Sequence, residues 1–514
     1  MESLQQDGSK RPIVAALLPP VARACAAASI LWFTPALDTA DGADIAFTDV
    51  TAAAGLTMTY QPYPPMIPQV EEWMIGGMAI DDFNNDGWPD LFVFASGDAP
   101  DRLFMNNADG TFTDQASSWG IASVHGGAAA CTGDFNRDGW IDIYLASYGS
   151  ATNNQGVPGK NRLYKNNGNN TFTDVAASAG VLFNSQVIAA GNGCCFGDYD
   201  LDGDLDLAVA AWKFTSNGSR LFRNLGDGTF QNVTGVAISF PNGTWGFTPA
   251  FADMDEDGFP ELLLAADIST SRYYKNNGAG AFIDFTAQSG TGLDEDGMGS
   301  CIGDFDNDGL LDWYVTSVYI DTPAQGFYNG NTLYRNLGNH QYVEISGMAG
   351  VKDGGWGWGT LAIDVDQDGW LDIMEVNGRP TDQWLGEREY LWRNDGDGTF
   401  TEVPQTTWGF PKEEGRAVAW IDYDRDGDLD LVIVYNKGPI KLFRNDTTGA
   451  GNWLQLRFDA SANDRVPPQG KLTRVTAKVG SATYMRYLDG GHGYGSSSEP
   501  MIHFGLGNAT LIDE

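Results

Sequence analysis

Seven segments of this chain carry Asp-x-(Asp/Asn)-x-Asp-Gly-x-x-(Asp/Glu), a spacing that gathers oxygen ligands around a hard cation. They present Asp82, Asn84, Asp86 and Asp90; Asp134, Asn136, Asp138 and Asp142; Asp198, Asp200, Asp202 and Asp206; and Asp253, Asp255, Asp257 and Glu261. The remaining three present Asp304, Asp306, Asp308 and Asp312; Asp364, Asp366, Asp368 and Asp372; and Asp422, Asp424, Asp426 and Asp430. Calcium takes about six to eight oxygen ligands at roughly 2.3–2.6 Å, and alternate side chains of a tight loop converge on one point. Positions one, three and five do this here. The Gly at six permits the backbone turn, the carbonyl at seven faces the ion, and the acid at nine completes the shell. The expected cofactor is therefore Ca2+, one ion in each of up to seven loops. A plain hairpin turn needs only the Asp-Gly pair and leaves the acids at one, three and nine unexplained. Without metal, two carboxylates about 4 Å apart repel by about 4 kcal/mol at an effective dielectric of 20, so an empty loop is expected to be strained or mobile.

In an EF-hand the closing Glu falls at position twelve and opens a helix. Here the closing acid falls at nine and opens an apolar, β-prone run in every copy (91–94, 143–145, 207–209, 262–264, 313–315, 373–376 and 431–434), so each loop joins two strands. The first residues of successive loops stand between 51 (Asp253 to Asp304) and 64 (Asp134 to Asp198) positions apart. Several short strands per unit at such a period predict an all-β propeller of seven blades. Each unit has an FTDV-like strand (from Phe47, Phe112, Phe172, Phe230, Phe282, Tyr342 and Phe400) and a Gly-rich strand running into the acidic loop. The apolar strand follows, and then a segment such as RLFMNN at Arg102 or RLFRN at Arg220. One FTDV-like strand precedes the first loop and none follows KLFRN at Lys441, so the N-terminal strand is expected to complete the last blade and remove the ring's free edges.

Alternating connections put the acidic loops and the Asn-Gly turns on one face of the disc. The long insertions 61–72, 149–161, 317–331 and 377–389 fall on the other, and long loops are where recognition usually resides. On that second face, near the starts of the inner strands, lie Glu72, Trp73, His125, Trp245, Trp356, Trp358 and Arg416, with Tyr148, Trp212, Tyr319 and Trp384 close by. They are the candidate ligand-binding residues of a funnel at the channel mouth; packing between blades is the alternative for any single Trp.

The 514 residues include 30 Lys and Arg against 68 Asp and Glu, a formal net charge of −38, and the loops supply much of that excess. Such a surface disfavours nucleic acid and anionic lipid. No stretch approaches the roughly 20 apolar residues of a transmembrane helix. Cys131, Cys195 and Cys301 sit three residues before their loops, where other units place Ala79, Ala250, Leu361 and Ala419, which marks them as small core residues rather than a disulfide framework. No His/Cys metal cluster or nucleophile constellation is visible. Residues 1–43 resemble a secretory signal: Lys10, Arg11 and Arg23, an apolar run over 24–33, then Pro35 and small residues, with cleavage expected between Ala36 and Ala43. A secreted protein, extracellular or periplasmic, is the expectation.

The period stops after KLFRN, and residues 451–514 read as a small β domain, leaving 44–450 for the propeller. The repeats resemble the FG-GAP or VCBS type of integrin-like propellers. The tail resembles the ASPIC/UnbV domain through Trp453, Gly490, Gly491, Tyr494, Ser498 and HFGLG at His503. Gly470-Lys-Leu-Thr stands where that domain carries Gly-x-Gly-Ala, and Glu514 falls where it normally adds a further strand, so the tail is expected to be incomplete or differently packed. Its Gly-rich run over 490–495 reads as a flexible hairpin, with a ligand loop around His492 and Tyr494 as the alternative. Together the two parts are similar to the cartilage-acidic-protein type of secreted protein. That resemblance implies a calcium-binding or adhesive role, a binding scaffold for a protein or glycan. The second class is a propeller enzyme, a lyase or cyclase, using His125, Glu72 or Arg416 at the channel mouth.

Overall fold

The computed structural model describes residues 43–58, 74, 76–95, 99–124, 126–149, 160–182, 189–212, 218–322, 326–379, 386–436, 438–460, 463, 465–489 and 493–514. The signal-like segment thus lies outside the described residues except for Ala43, and the insertion 61–72 lies outside them altogether. Seven four-stranded antiparallel blades form a ring, each descending from an inner strand at the channel to a short outer strand. Blade one runs Met78–Asp81, Asp90–Val93, Arg102–Asn106 and Phe112–Asp114, and blade four runs Trp245–Ala252, Glu261–Asp267, Arg272–Asn276 and Phe282–Asp284. Blade seven, Gly415–Ile421, Asp430–Tyr435 and Ile440–Asn445, takes its outer strand from the other end of the chain: Phe47, Thr48 and Asp49 pair with Asn445, Arg444 and Phe443. That is the closure expected from the count of FTDV-like strands.

The outer strands bury their Phe and expose the next two residues. The exposed Asp meets a basic residue that opens the third strand, as in Arg102 Nη1 to Asp114 at 2.7 Å, Arg162 Nη1 to Asp174 at 2.9 Å and, across the closure, Lys441 Nζ to Asp49 at 2.6 Å. Being partly solvated, such pairs contribute little each. The blade-to-blade contacts carry more. The buried Phe packs on the residue at position two of the preceding blade's acidic loop: Phe83 on Phe172 (ring centroids 6.1 Å apart), Phe135 on Phe230 (5.7 Å), Tyr199 on Phe282 (5.4 Å) and Phe305 on Phe400 (6.1 Å). Each such pair contributes about 0.5–1.5 kcal/mol beyond the area it buries.

An Asn at the end of every third strand closes the same joint. Asn166 Nδ2 donates to Phe83 O at 2.8 Å, Asn224 to Phe135 O at 2.8 Å, Asn276 to Tyr199 O at 2.9 Å and Asn336 to Met254 O at 2.8 Å. Asn394 donates to Phe305 O at 2.8 Å, Asn445 to Val365 O at 2.9 Å and Asn106 to Tyr423 O at 2.9 Å, which returns the ring to blade seven. Each Asn therefore ties its own blade to a loop of the one before, in a fully buried setting where an unmade bond is costly.

The C-terminal residues form two antiparallel ribbons, Trp453–Leu456 with Ile502–Gly505 and Thr473–Val479 with Ala482–Leu488. They lie on the acidic-loop face: Gln469 Nε2 reaches Asp81, Tyr487 Oη accepts Asp253 N at 3.1 Å, and His503 Nε2 stands 3.0 Å from Gly427 O. Between the ribbons a finger enters the central channel. Trp420 N donates to Ser498 Oγ, Ser496 Oγ donates to Val418 O, and Ser496–Ser497 adds in parallel to the edge at Met78 and Ala79. Gly495 O accepts both Met78 N and Ala130 N, and Gly493 N donates to Ser300 O. At the tip Tyr494 is wholly buried among Met74, Trp212, Phe247, Met298, Val318 and Trp358, and its hydroxyl donates to Met74 O at 2.5 Å. The expectation of a flexible hairpin fails at Tyr494, because its ring meets Trp358 at 5.1 Å and Phe247 at 5.5 Å. Residues 490–492, His492 included, lie outside the described residues. Cys131, Cys195 and Cys301 are buried and unbridged, as their register implies, and so is Cys194.

Two substitutions test this construction by guanidinium unfolding. Asn224→Ala deletes the bonds to Phe135 O and Leu205 O and is expected to cost about 2–4 kcal/mol. Tyr494→Ala empties the channel tip and is expected to cost about 3–5 kcal/mol; an unchanged midpoint would mean that the finger does not hold the ring.

Candidate metal centres

The acidic loops share one backbone path. The residue at position four is left-handed in every copy, at φ 55 (Asn85), 57 (Arg137), 59 (Leu201), 65 (Glu256), 51 (Asn307), 59 (Gln367) and 60 (Arg425), and the Gly at six lies between φ 83 and 96. A side chain resists such angles, so Gly at six is a backbone requirement. The path turns successive amides onto the carboxylate at position one. Asp82 accepts Asp86 N at 3.0 Å and Gly87 N at 2.7 Å, Asp134 accepts Asp138 N at 3.0 Å and Gly139 N at 2.8 Å, and Asp304 and Asp364 repeat the pattern. The carboxylate at five is held by the amide at seven, as in Asp257 with Phe259 N at 2.8 Å. In the first two loops Asn84 and Asn136 stand at three and donate to Asp86 and Asp138.

The acid at nine is buried in every copy. Asp90, Asp142, Asp206 and Asp430 show no exposed surface. Each takes one amide from position two of its loop and one from the Asn of the third strand: Asp206 accepts Tyr199 N at 3.1 Å and Asn224 N at 2.7 Å, and Asp430 accepts Tyr423 N at 3.3 Å and Asn445 N at 2.8 Å. This acid therefore both faces the loop's interior and anchors the joint between blades. The Asn partner is the functional residue that the sequence reading missed, although its recurrence at the end of RLFMN, RLFRN and KLFRN was the available signal.

Three acids come within 4.8 Å of one another at Asp198, Asp200 and Asp206, at Asp253, Asp255 and Asp257, at Asp304, Asp306 and Asp308, and at Asp364, Asp366 and Asp372. Burial, reinforced by neighbouring carboxylates, pushes Asp198 and Asp304 up to about 7 and Asp364 to about 8. It also raises Asp422 to about 7, with Glu499 beside it, and Glu261 to about 9. A basic residue leans over several loops, with Arg223 Nε 2.6 Å from Asp200, Arg393 Nε 2.8 Å from Asp366 and Lys165 Nζ 3.1 Å from Asp138. Buried oxygens without a hydrogen-bond partner remain at Asp200 Oδ1, Asp253 Oδ1, Asp366 Oδ1, Asp422 Oδ1 and Asp424 Oδ1. An all-oxygen donor set with orphaned, desolvated oxygens is the environment that a hard divalent cation compensates.

The tail roofs two of these loops. Asp364 Oδ2 accepts Gly505 N at 3.0 Å beside Arg486, and Asp422 Oδ2 accepts Gln455 Nε2 at 2.7 Å. Asp364 and Asp366 are buried, whereas Asp86 and Asp257 remain exposed.

On the opposite face, Glu72, Trp73, His125 and Trp384 lie outside the described residues. The structure brings together Trp245, Trp356, Trp358 and Trp212 with Tyr494 in one apolar cluster. Trp358 is 2% exposed and donates Nε1 to Gly378 O at 2.8 Å; Arg416 is fully buried, stacks 4.6 Å over the Trp358 ring and donates to the same carbonyl. Trp212 donates to Asp267 at 2.8 Å. Trp245 and Trp356 are half-buried, and Arg379 lies 4.5 Å over the Trp356 ring. These residues pack on one another and on the tail's finger, so the mouth at this point is filled. Among the described residues no helix is long and apolar enough to cross a membrane.

Comparison with known proteins agrees with this architecture. Cartilage acidic protein 1 of Mus musculus is 26% identical over 93% of this chain and 74% of its own length, and that of Homo sapiens is 25% identical over 93% and 72%. Among solved structures, a lectin from Burkholderia pseudomallei superposes with a TM-score of 0.44 at 13% identity, covering 72% of this chain and 98% of that one, too weak a likeness to bear on ligand or activity. The family model for ASPIC and UnbV matches residues 468–514. The model for the FG-GAP-like repeat matches residues 82–145, 148–209, 198–264, 253–315 and 386–433, and since these matches span more than half of the sequence, the chain belongs to the FG-GAP-like repeat family.

Proposed function

We propose that this propeller is an extracellular binding scaffold whose blades are pinned by calcium in the acidic loops, with a protein or glycan recognised across the opposite face. The observation that carries the reading is the set of orphaned, buried carboxylate oxygens at Asp200, Asp253, Asp366, Asp422 and Asp424, each in a loop whose backbone already points its acids inward. Positions one, three, five and nine of each loop would hold the ion, and the ion's role is structural: it neutralises acids that also anchor the Asn bridges between blades. The relationship to cartilage acidic protein 1 and the signal-like segment support placement outside the cell. The face left for a ligand carries the half-buried Trp245 and Trp356, with Arg379 over the latter ring. Arg416, the cation considered for catalysis at the mouth, is sequestered against Trp358, which favours a scaffold over an enzyme.

Bound metal contributes folding free energy. A thermal melt is therefore expected to show a drop of many degrees on chelation, reversed by millimolar calcium; identical melts would defeat the calcium reading. A glycan and protein array probed with the calcium-loaded chain then tests recognition, and binding that survives substitution of Trp356 and Arg379 together would place the ligand elsewhere.

The pH dependence separates the two forms. In chelator, Asp198, Asp304 and Asp422 keep protons up to about 7 that the unfolded chain releases near 3.8, so the native state binds more protons in between. Their contribution is complete below about pH 4 and is lost as pH rises through about 7, so the metal-free melting temperature is expected to fall from pH 5 to pH 8. With calcium, which requires ionised carboxylates, it is expected to hold or rise over the same range.

A further inference from the structure

The fourth loop differs from the other six in one donor. The turn between the third and fourth strands has two left-handed residues, the second of them Gly110 (φ 82), Asn170 (63), Gly228 (81), Gly280 (78) and Gly398 (86) in blades one, two, three, four and six. A side chain built at Gly280 would begin 4.0 Å from Asp200 Cβ, at position three of the loop of blade three. Blade five puts His340 in this place, at φ 56, and the imidazole follows that direction into the loop of blade four. His340 is 3% exposed. Its Nε2 stands in contact with Asp255 Oδ2 at 2.7 Å, and Asp255, Glu261 and His340 offer three donor atoms within 4.8 Å of one another. Asp253 Oδ1, buried and without a hydrogen-bond partner, belongs to the same loop.

From this geometry we propose that the fourth loop is a mixed nitrogen and oxygen site for a first-row transition-metal ion such as Zn2+, with Asp253, Asp255, Glu261 and His340 Nε2 as ligands. The inference rests on the reading of the loops as metal centres and changes the ion at one of them. Calcium prefers oxygen alone, whereas imidazole suits zinc and its neighbours. Donors each about 2.1 Å from one tetrahedral ion stand about 3.4 Å apart, so the 2.7 Å between His340 Nε2 and Asp255 Oδ2 would open as an ion enters between them. The far side of the ring is already arranged: His340 Nδ1 is 2.8 Å from Tyr273 Oη, the outer-sphere partner that fixes the tautomer and aims Nε2 at an ion. A salt bridge to position three does not require this His. In blades three, five and six an Arg of the third strand fills that role, and blade four carries Lys275 at the same register, its Nζ 5.8 Å over the Phe285 ring.

The test uses the full chain, stripped by chelation and reloaded in millimolar calcium, then titrated calorimetrically with Zn2+ and followed in parallel by the visible absorption of Co2+. One equivalent of Zn2+ is expected to bind in the presence of calcium, and Co2+ is expected to give the intense bands of a low-coordinate site with a nitrogen ligand. His340→Gly installs the residue that most counterpart turns carry, so the fold and its calcium-dependent melt are retained while the Zn2+ equivalent and the Co2+ bands are lost. Tyr273→Phe is expected to weaken Zn2+ binding by about 10–100-fold. Zn2+ binding that calcium displaces, or that His340→Gly leaves unchanged, would overturn the proposal and leave an Asp-His contact only. Failure of calcium to raise the melting temperature would instead count against the metal reading of all the loops.

Discussion

The ring depends on a single repeated arrangement: a buried acid at the end of each acidic loop, shared between two amides, next to an Asn whose side chain crosses to the previous blade. Asp206 shows the economy of it. It accepts Tyr199 N and Asn224 N, and Asn224 Nδ2 holds Phe135 O of the neighbouring loop. A carboxylate in that position is desolvated on all sides, so its charge has to be answered either by a proton or by a cation. The loop that gathers these acids is therefore the loop that registers one blade on the next. Acidic loop and ring geometry are one mechanical unit, and the residue at position two, aromatic in five of the seven loops, transmits the fit around the circle.

Much of this was legible in the residues. Periodic acidic loops followed by apolar runs reveal strands, their number reveals the blades, and the count of FTDV-like segments reveals that Phe47–Asp49 completes blade seven. What stayed hidden were partners that lie one blade away or one domain away. Nothing local marks His340 as a neighbour of Asp255, since the contact exists only because consecutive blades pack in a fixed register. Asn106 and its six counterparts were visible as letters and opaque as chemistry for the same reason. Trp358 and Arg416 read as surface aromatics and charge at a channel mouth; they are interior because the tail supplies Tyr494, and a Gly-rich run carries no hydrophobic period from which that insertion can be read.

The C-terminal ribbons also divide the seven loops into two environments. Loops six and seven meet Gly505, Arg486, Gln455 and Glu499 from the tail, and Asp364 and Asp366 are buried there. In every loop but the sixth the carboxylate at position five, Asp426 of loop seven included, stays exposed. Under the proposed calcium reading, an ion beneath the roof of loop six would exchange only as fast as the roof lifts, whereas ions in the other loops would follow the surrounding concentration.

The finger that ends in Tyr494 has a consequence for biogenesis. Tyr494 follows blade seven in the chain and fills a hole lined by residues of earlier blades, Trp212, Phe247, Val318 and Trp358 among them, while the first strand of the propeller waits for blade seven before it has a partner. Neither the closing strand nor the finger finds its place until the blades between them have been made. A product cut short before the tip would display the aromatic lining of its channel, Trp212, Phe247 and Trp358, without its cover.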